Sequence, residues 1–165
     1  MKETVVLTEE KAKILRNKKE WIEKIERLSN CKISLEDQEV TIEGEDPLTV
    51  LRVREVLRAL NRGFDLDSAL YLLDDSYFLE IINVKDYGKT RNRRIELKGR
   101  VIGKKGSIKR MIEELTKTKI SVHGNTISII GQWNNLLLAK RAIEMILEGK
   151  MHSTVKKFLE ENVIE

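Results

Sequence analysis

Lys98-Gly99-Arg100-Val101-Ile102-Gly103-Lys104-Lys105-Gly106-Ser107-Ile108-Lys109-Arg110 is the stretch around which the rest of the chain is read. Two glycines bracket two lysines. The apolar pair Val101-Ile102 leads in. Ile108, Met111, Ile112 and Leu115 lead out at i, i+3, i+4 and i+7, the spacing of one helix face. Glycine lets a backbone turn sharply and lets another chain approach it closely. A sharp turn that opens a helix presents unpaired N–H groups and the positive end of the helix dipole, both of which suit a phosphate.

The segment after this helix is equally patterned. Lys119-Ile120-Ser121-Val122-His123 alternates as a strand, Gly124-Asn125 is a tight-turn pair, and Thr126-Ile127-Ser128-Ile129-Ile130 is a second strand stopped by Gly131. A helix is expected from Asn134 to Glu148, with Leu137, Leu138, Arg141, Ala142, Met145 and Ile146 along one stripe and Gly149 as its stop. Leu79-Glu80-Ile81-Ile82-Asn83-Val84 is a preceding strand. Asp86 to Arg94 reads as a loop crowded with charge, after which Ile95 and Leu97 return to the core. The spacing of Gly103-Lys104-Lys105-Gly106 and this order of elements resemble a type I KH domain, whose GxxG loop clamps about four backbone nucleotides.

The chain has 165 residues, 41% hydrophobic and 35% charged, a globular composition with room for one ordinary domain or two small ones. The apolar runs fall short of a membrane span, and the start, Met1 to Leu7, lacks the apolar core of a signal peptide. One cysteine, Cys31, excludes an internal disulfide and a cysteine-based zinc site, and a reducing cytoplasm is expected. The net charge of +4 is unevenly spread. Residues 1–84 hold 13 Lys and Arg against 18 Asp and Glu, whereas residues 85–165 hold 18 against 9. Within 85–119 the balance is 13 basic to 4 acidic, so the basic cluster surrounds the glycine loop, as a phosphate-binding surface requires.

The first half repeats the second. Residues 4–8 read as a short strand. Thr8-Glu9-Glu10 starts a helical pattern, and a helix with Trp21, Ile22, Ile25 and Leu28 comes next. Lys32–Leu35 and Glu39–Ile42 are strands, and Pro47 opens a helix to about Asn61. An offset of 87 aligns residues 14–44 with 101–131 without gaps. Nine of the 31 pairs are identical, among them Ile25/Ile112, Glu26/Glu113, Ile33/Ile120, Ile42/Ile129 and Gly44/Gly131. Composition alone would give roughly two. Opposite the glycine loop stands Arg16-Asn17-Lys18-Lys19, so the first copy is expected to keep the fold and lose the clamp. The expected division is a degenerate KH domain over 1–61, a helical linker over 62–78, a KH domain over 79–150 and a C-terminal tail helix over 151–165, with Ser153 or Thr154 as its cap. The linker gathers Phe64, Tyr71, Tyr77 and Phe78 beside a short helix capped by Asp65 or Asp67 and is read as packed core.

The candidate RNA-binding residues are Gly103, Lys104, Lys105 and Gly106, then Lys109 and Arg110 on the adjoining helix. Arg91, Arg93, Arg94 and Arg100 would extend the track. Ile102, with Ile108, Ile120 and Val122, would line an apolar groove for bases, while Lys119 and Ser121 lie on the strand beside it. His123 and His152 have no acidic or cysteine neighbours at metal-ligand spacing. The chain shows no nucleophile motif and no phosphate loop of the G-x-x-x-x-G-K-[ST] type. A binding protein without catalytic residues, metal or cofactor is expected.

Gly99 to Gly106, Ile112-Glu113-Glu114-Leu115-Thr116, Ile120-Ser121-Val122, Ala142-Ile143-Glu144-Met145 with Glu148-Gly149, and His152-Ser153-Thr154-Val155 before Phe158-Leu159 are together similar to a specific family. The chain resembles the archaeal two-KH relatives of the eukaryotic small-subunit assembly factor called "partner of Nob", over nearly its whole length. The resemblance implies tandem α+β KH domains and binding to the 3′ region of small-subunit rRNA through the second. It also implies cooperation with the Nob endonuclease, which does the cutting, and a link to the alpha subunit of translation initiation factor two. The alternative is a general RNA-binding adaptor coupled to translation initiation, its first KH domain docking a protein. A nuclease is a third reading, disfavoured by the lack of a metal or nucleophile constellation.

Overall fold

A computed structural model describes residues 1–163, and the chain divides into two compact units at the Tyr77–Phe78 bond. The first unit runs β1 (Lys2–Val6), α1 (Glu9–Asn17), α2 (Lys19–Ser29), β2 (Lys32–Glu36), β3 (Glu39–Glu43) and α3 (Pro47–Asn61). Thr8 caps α1 by accepting the Lys11 N–H at 3.2 Å, and Glu9 and Glu10 fill its positive first turn. Asn30 ends α2 in the left-handed conformation. Asp46 caps α3 with Pro47 behind it. The Thr49 hydroxyl and the Leu48 N–H hold the Asp46 carboxylate below its usual pKa. β3 lies between β1 and β2, antiparallel to both, with Val5 and Leu35 facing Val40 and Ile33 facing Ile42. The inward side chains of the sheet meet Ile25, Val50, Val53 and Leu57 in the core. The first strand begins two residues earlier than expected. Leu7 has already left the ladder, although its N–H still reaches the Gln38 carbonyl at 2.8 Å.

Residues after α3 belong to this unit. α4 (Leu66–Leu70), capped by Asp65, and a 3-10 turn at Tyr71–Leu73 pack on α3 through Leu66, Ala69 and Leu72. Phe64 is buried with them, but Tyr71 stays half exposed against Tyr77, so the aromatics of this segment are not all core.

The second unit runs β4 (Tyr77–Asn83), α5 (Arg91–Ile102), α6 (Ser107–Thr116), β5 (Lys119–His123), β6 (Thr126–Gln132), α7 (Trp133–Leu147) and α8 (His152–Asn162), with 3-10 turns at Val84–Asp86 and Lys104–Gly106. The sheet order β4-β6-β5 matches that of the first unit, and Ile120 faces Ile129 as Ile33 faces Ile42. Each unit is thus β-α-α-β-β-α, two copies of the type I KH arrangement.

Several local expectations are corrected. Arg91 to Arg94 are not loop: Thr90 accepts the Arg93 N–H at 3.1 Å and starts α5 there. Only Leu97 and Val101 of that helix are buried, and Ile95 points outward. The buried face of α7 is Leu136, Ala139, Ala142, Ile143, Met145, Ile146 and Leu147, with Leu138 packed against it, so of the expected stripe only Leu137 and Arg141 lie outside. The helix starts at Trp133, one residue before the expected start. Met151 is the N-cap of α8, so Ser153 and Thr154 sit in its first turn rather than at its cap. Val155 and Leu159 of α8 are fully buried in the same core as Ile112, Ile143 and Ile146, which makes α8 part of the second unit. Residues 164 and 165 of the expected tail lie outside the described residues.

The repeat extends to single hydrogen bonds. Glu26 of α2 accepts the N–H of Ile33 at 2.9 Å, and Glu113 of α6 accepts the N–H of Ile120 at 2.9 Å. Each satisfies an outward-facing donor of an edge strand from the side of the core. Glu113→Ala is expected to destabilise the second unit by about 1.5–3 kcal/mol, the range for a hydrogen bond to a charged group, and Glu113→Gln by less. Urea denaturation midpoints of the two variants check this.

Candidate nucleic-acid interface

The loop between α5 and α6 has a backbone that ordinary residues avoid. Gly103 sits at φ +75°, ψ 173°, a region open essentially to glycine alone. Lys105 (φ +55°) and Gly106 (φ +76°) are left-handed. A Cβ on Gly103 would lie 2.4 Å from Cγ1 of Ile108 and 2.8 Å from its backbone nitrogen, so space as well as conformation demands glycine. At Gly106 a Cβ would meet only the tip of Arg110, at 2.9 Å, which can move. The Gly103 N–H donates to Gly99 O at 2.8 Å, the Gly106 N–H to Gly103 O at 3.1 Å, and Arg110 Nη1 to Lys105 O at 2.7 Å. The loop is therefore braced before any ligand arrives. Gly106 has no side chain with which to cap α6, and the N–H of Ser107, the first residue of that helix, donates back to Lys104 O.

Lys104 and Lys105 project into solvent at the tip, and Ile102 and Ile108 are half buried beneath them. The other candidates divide. Arg110 braces the loop while its side chain remains exposed, and Lys109 pairs with Glu113 at 3.4 Å. The guanidinium of Arg100 donates to Ile146 O at 2.7 Å and Lys150 O at 2.6 Å, tying α5 to the end of α7, so its charge is committed within the fold. Arg91, Arg93 and Arg94 occupy the opposite end of α5, about 15 Å from the loop at 1.5 Å per residue. Arg93 pairs with Glu96 at 2.7 Å, Arg94 donates to the carbonyls of Gly88 and Lys89, and Arg91 is exposed. Lys119 is exposed and Ser121 half buried on β5, which pairs with β6 on one side only. The outward N–H of Ile120 is taken by Glu113. By strand alternation the backbone N–H and C=O of Val122 point to the same free edge.

Gly99 differs from the other glycines of this region. It lies inside α5, and a Cβ there would meet nothing within 4 Å. The fold gains nothing from this glycine, which costs a helix about 0.5–1 kcal/mol relative to alanine. Among the described residues there is no group of three His, Cys, Asp or Glu able to hold a metal, and no helix long and apolar enough to cross a membrane.

The first unit lacks the loop. α1 ends at Asn17, α2 starts at Lys19, and Lys18 alone joins them with a negative φ of −124°. The last buried residue of α1 is Leu15 and that of α5 is Val101, ten residues before Ile25 and eleven before Ile112. The first joint is one residue shorter, so the ungapped alignment is shifted by one through α1. Arg16 donates to Asp37 O at 2.7 Å, and Lys18 Nζ lies 4.4 Å from the centre of the Trp21 ring.

Residues 78–163 match the family model for the second KH domain of Pno1, described as a eukaryotic type KH domain, KH-domain type I. The chain belongs to this Pno1 family of KH proteins. It is 41% identical over 164 residues to a KH domain-containing protein of Methanocaldococcus jannaschii, covering 96% of this chain and 72% of that one. It is 33% identical over 115 residues to the RNA-binding protein Pno1 of Ixodes scapularis, covering 68% of this chain and about half (49%) of the tick protein. A crystal structure of a complex of a/eIF2alpha, aDim2p and rRNA from Pyrococcus horikoshii matches with a TM-score of 0.89 and 35% identity, covering 98% of this chain and 93% of that one. The Pno1-family assignment agrees with the sheet order of both units and with the glycine loop of the second.

The glycines are expected to separate by role. Gly103→Ala should destabilise the second unit by about 1–3 kcal/mol, since strain and the Ile108 contact act together. Gly99→Ala should stabilise it by about 0.5–1 kcal/mol. Chemical denaturation of the two variants checks both signs.

Proposed function

We propose that this chain is an RNA-binding assembly factor of the small ribosomal subunit that holds the 3′ region of its rRNA as a single strand through the second KH unit. The observation that carries this reading is the braced loop at Gly103–Gly106, which presents two exposed lysines at the start of α6 beside half-buried Ile102 and Ile108. Backbone amides and Lys104 and Lys105 take the phosphates, and the apolar side chains accept base faces. The free backbone edge at Val122, with Ser121 and Lys119 on the same strand, takes base edges. The surface of α5 at Gly99 leaves room for a ribose. Arg91, Arg93 and Arg94 meet phosphates further along the strand, and Arg100 holds α5 in place rather than touching RNA.

The related Pyrococcus complex, which contains rRNA and a/eIF2alpha, supports both an rRNA ligand and a partnership with that initiation-factor subunit. Cooperation with the Nob endonuclease rests on the family resemblance. In this reading the chain positions RNA in the cytoplasm for cleavage by another protein and has no catalytic centre of its own.

The test is binding of a short single-stranded RNA from the 3′ end of small-subunit rRNA against a scrambled RNA of equal length, by fluorescence anisotropy over a salt series. A Gly103→Asp control would be confounded by its clash with Ile108, so the informative variant is Lys104→Glu/Lys105→Glu. It should lose at least tenfold in affinity and flatten the log–log salt slope by about 1.4, at roughly 0.7 per phosphate on a single strand. Gly99→Ala should weaken binding while raising stability. Equal affinity of the wild type for both RNAs would reduce the reading to a general RNA-binding adaptor. Unchanged binding by the lysine variant would remove the site from this loop.

A further inference from the structure

The last helix of the repeat ends alike in both units. Asn61 of α3 and Leu147 of α7 each stand two residues before a left-handed glycine, Gly63 at φ +95° and Gly149 at φ +99°. Leu60 and Phe64 of the first unit therefore correspond to Ile146 and Lys150 of the second. On the first helix, Leu15 and Val101 correspond as the last buried residues, so Ile14 corresponds to Arg100. In the second unit Arg100 crosses the intervening space and bonds the carbonyls of Ile146 and Lys150. In the first unit an isoleucine stands there, and the space stays open. A cavity of about 370 Å³ lies between Ile14, Leu15, Trp21, Leu60 and Phe64. Lys11 and Lys18 stand on its lining, with Asp65 the one acidic neighbour.

We propose that this cavity is a docking pocket for one large apolar side chain of a partner protein, carried on a segment with acidic flanking residues. The walls are apolar and include a tryptophan, the residue type most enriched where a few contacts carry binding energy. The two lysines select the charge of the flanks, and an acidic segment completes the balance that one aspartate leaves open. A nucleic acid fits less well. Lys18 already lies over the Trp21 ring that a base would stack on, and the joint beside it has neither glycines nor left-handed turn. The joint of the first unit, at Lys18, thus stands on the lining of an apolar pocket, whereas in the second unit Arg100 reaches across the corresponding position.

The test uses the full chain carrying Trp133→Phe, which leaves Trp21 as the only tryptophan reporter. The probe is the peptide acetyl-Glu-Asp-Phe-Leu-Asp-Glu-amide, with versions carrying alanine for phenylalanine or lysines for the acids. The acidic peptide is expected to give a saturable change in Trp21 emission. That change should weaken at least tenfold with either altered peptide, with Lys11→Glu/Lys18→Glu, and with Ile14→Arg, which installs the side chain the second unit uses to fill this space. Unchanged thermal unfolding shows that each variant is folded. Absence of a saturable change up to about 1 mM peptide, equal binding of the lysine peptide, or indifference to both variants would overturn the proposal. Displacement of the signal by a short oligouridine would overturn it in favour of a nucleic-acid occupant.

Discussion

The hydrogen bond that the first inward residue of the edge strand donates to a glutamate of the preceding helix is the constraint on which both units depend. A strand at a sheet edge can slip by one residue, and a slip would turn every inward side chain to the other face. Glu26 and Glu113 each fix one N–H of that strand, at Ile33 and Ile120, relative to the preceding helix. With that point fixed, Ile33 and Ile42, or Ile120 and Ile129, stay paired on the buried face of the sheet. In the second unit the same bond ties β5 to the later half of α6, the helix that the glycine loop opens, and so links that loop to the free strand edge. A site made of a loop on one element and a backbone edge on another needs that kind of lock.

A second constraint is close approach at the end of the central strand. A Cβ on Gly44 would lie 2.9 Å from the sulfur of Cys31, and one on Gly131 would lie 2.7 Å from Cγ2 of Thr118. Cys31 and Thr118 are aligned residues that close the helix before the edge strand. Both pairs are therefore solutions to one packing problem, and this explains why Cys31 is buried and needs no chemical role. Gly103 differs. Its clash partner, Ile108, is the first apolar residue of α6, so that glycine lets the loop double back tightly enough to aim the start of the helix outward. When the joint lost a residue in the first unit, the tight return and the need for glycine vanished together.

These constraints explain what could be read from the chain. The identical pairs of the repeat were legible because each serves the fold twice over: Ile25 and Ile112 in the core, the glutamates at the edge strands, Gly44 and Gly131 at the close approach. The glycine loop was legible because its backbone excludes other residues. The shift of one residue between the first helices was not. It falls among Arg16, Asn17 and Lys18, where neither burial nor backbone shape discriminates, and only the depth of Leu15 and Val101 exposes it. The start of α5 was obscured because three arginines resemble loop until the Thr90 cap is seen. The first turns of α7 were obscured for a similar reason: Leu136, Leu137 and Leu138 are indistinguishable in composition, and only burial separates Leu136 in the core from exposed Leu137.

The arginines at the start of α5 sharpen the distinction between stability and use. Positive side chains at a helix N-terminus oppose its dipole, by about 0.3–1 kcal/mol each at exposed sites. α5 has no acidic residue in its first turn, whereas α1 has two. Glu96 answers only Arg93, and Arg94 is held by carbonyls. The fold thus carries a local electrostatic cost that α1 avoids with the same β-α-α-β-β-α frame. A polyanion lying along α5 toward the loop would reverse the sign of that cost, since the charges that repel the dipole attract phosphate. Arg100 marks the contrast within the same helix. Its charge is spent on two carbonyls at the negative end of α7, where a cation is favoured, and the fold keeps it for that reason.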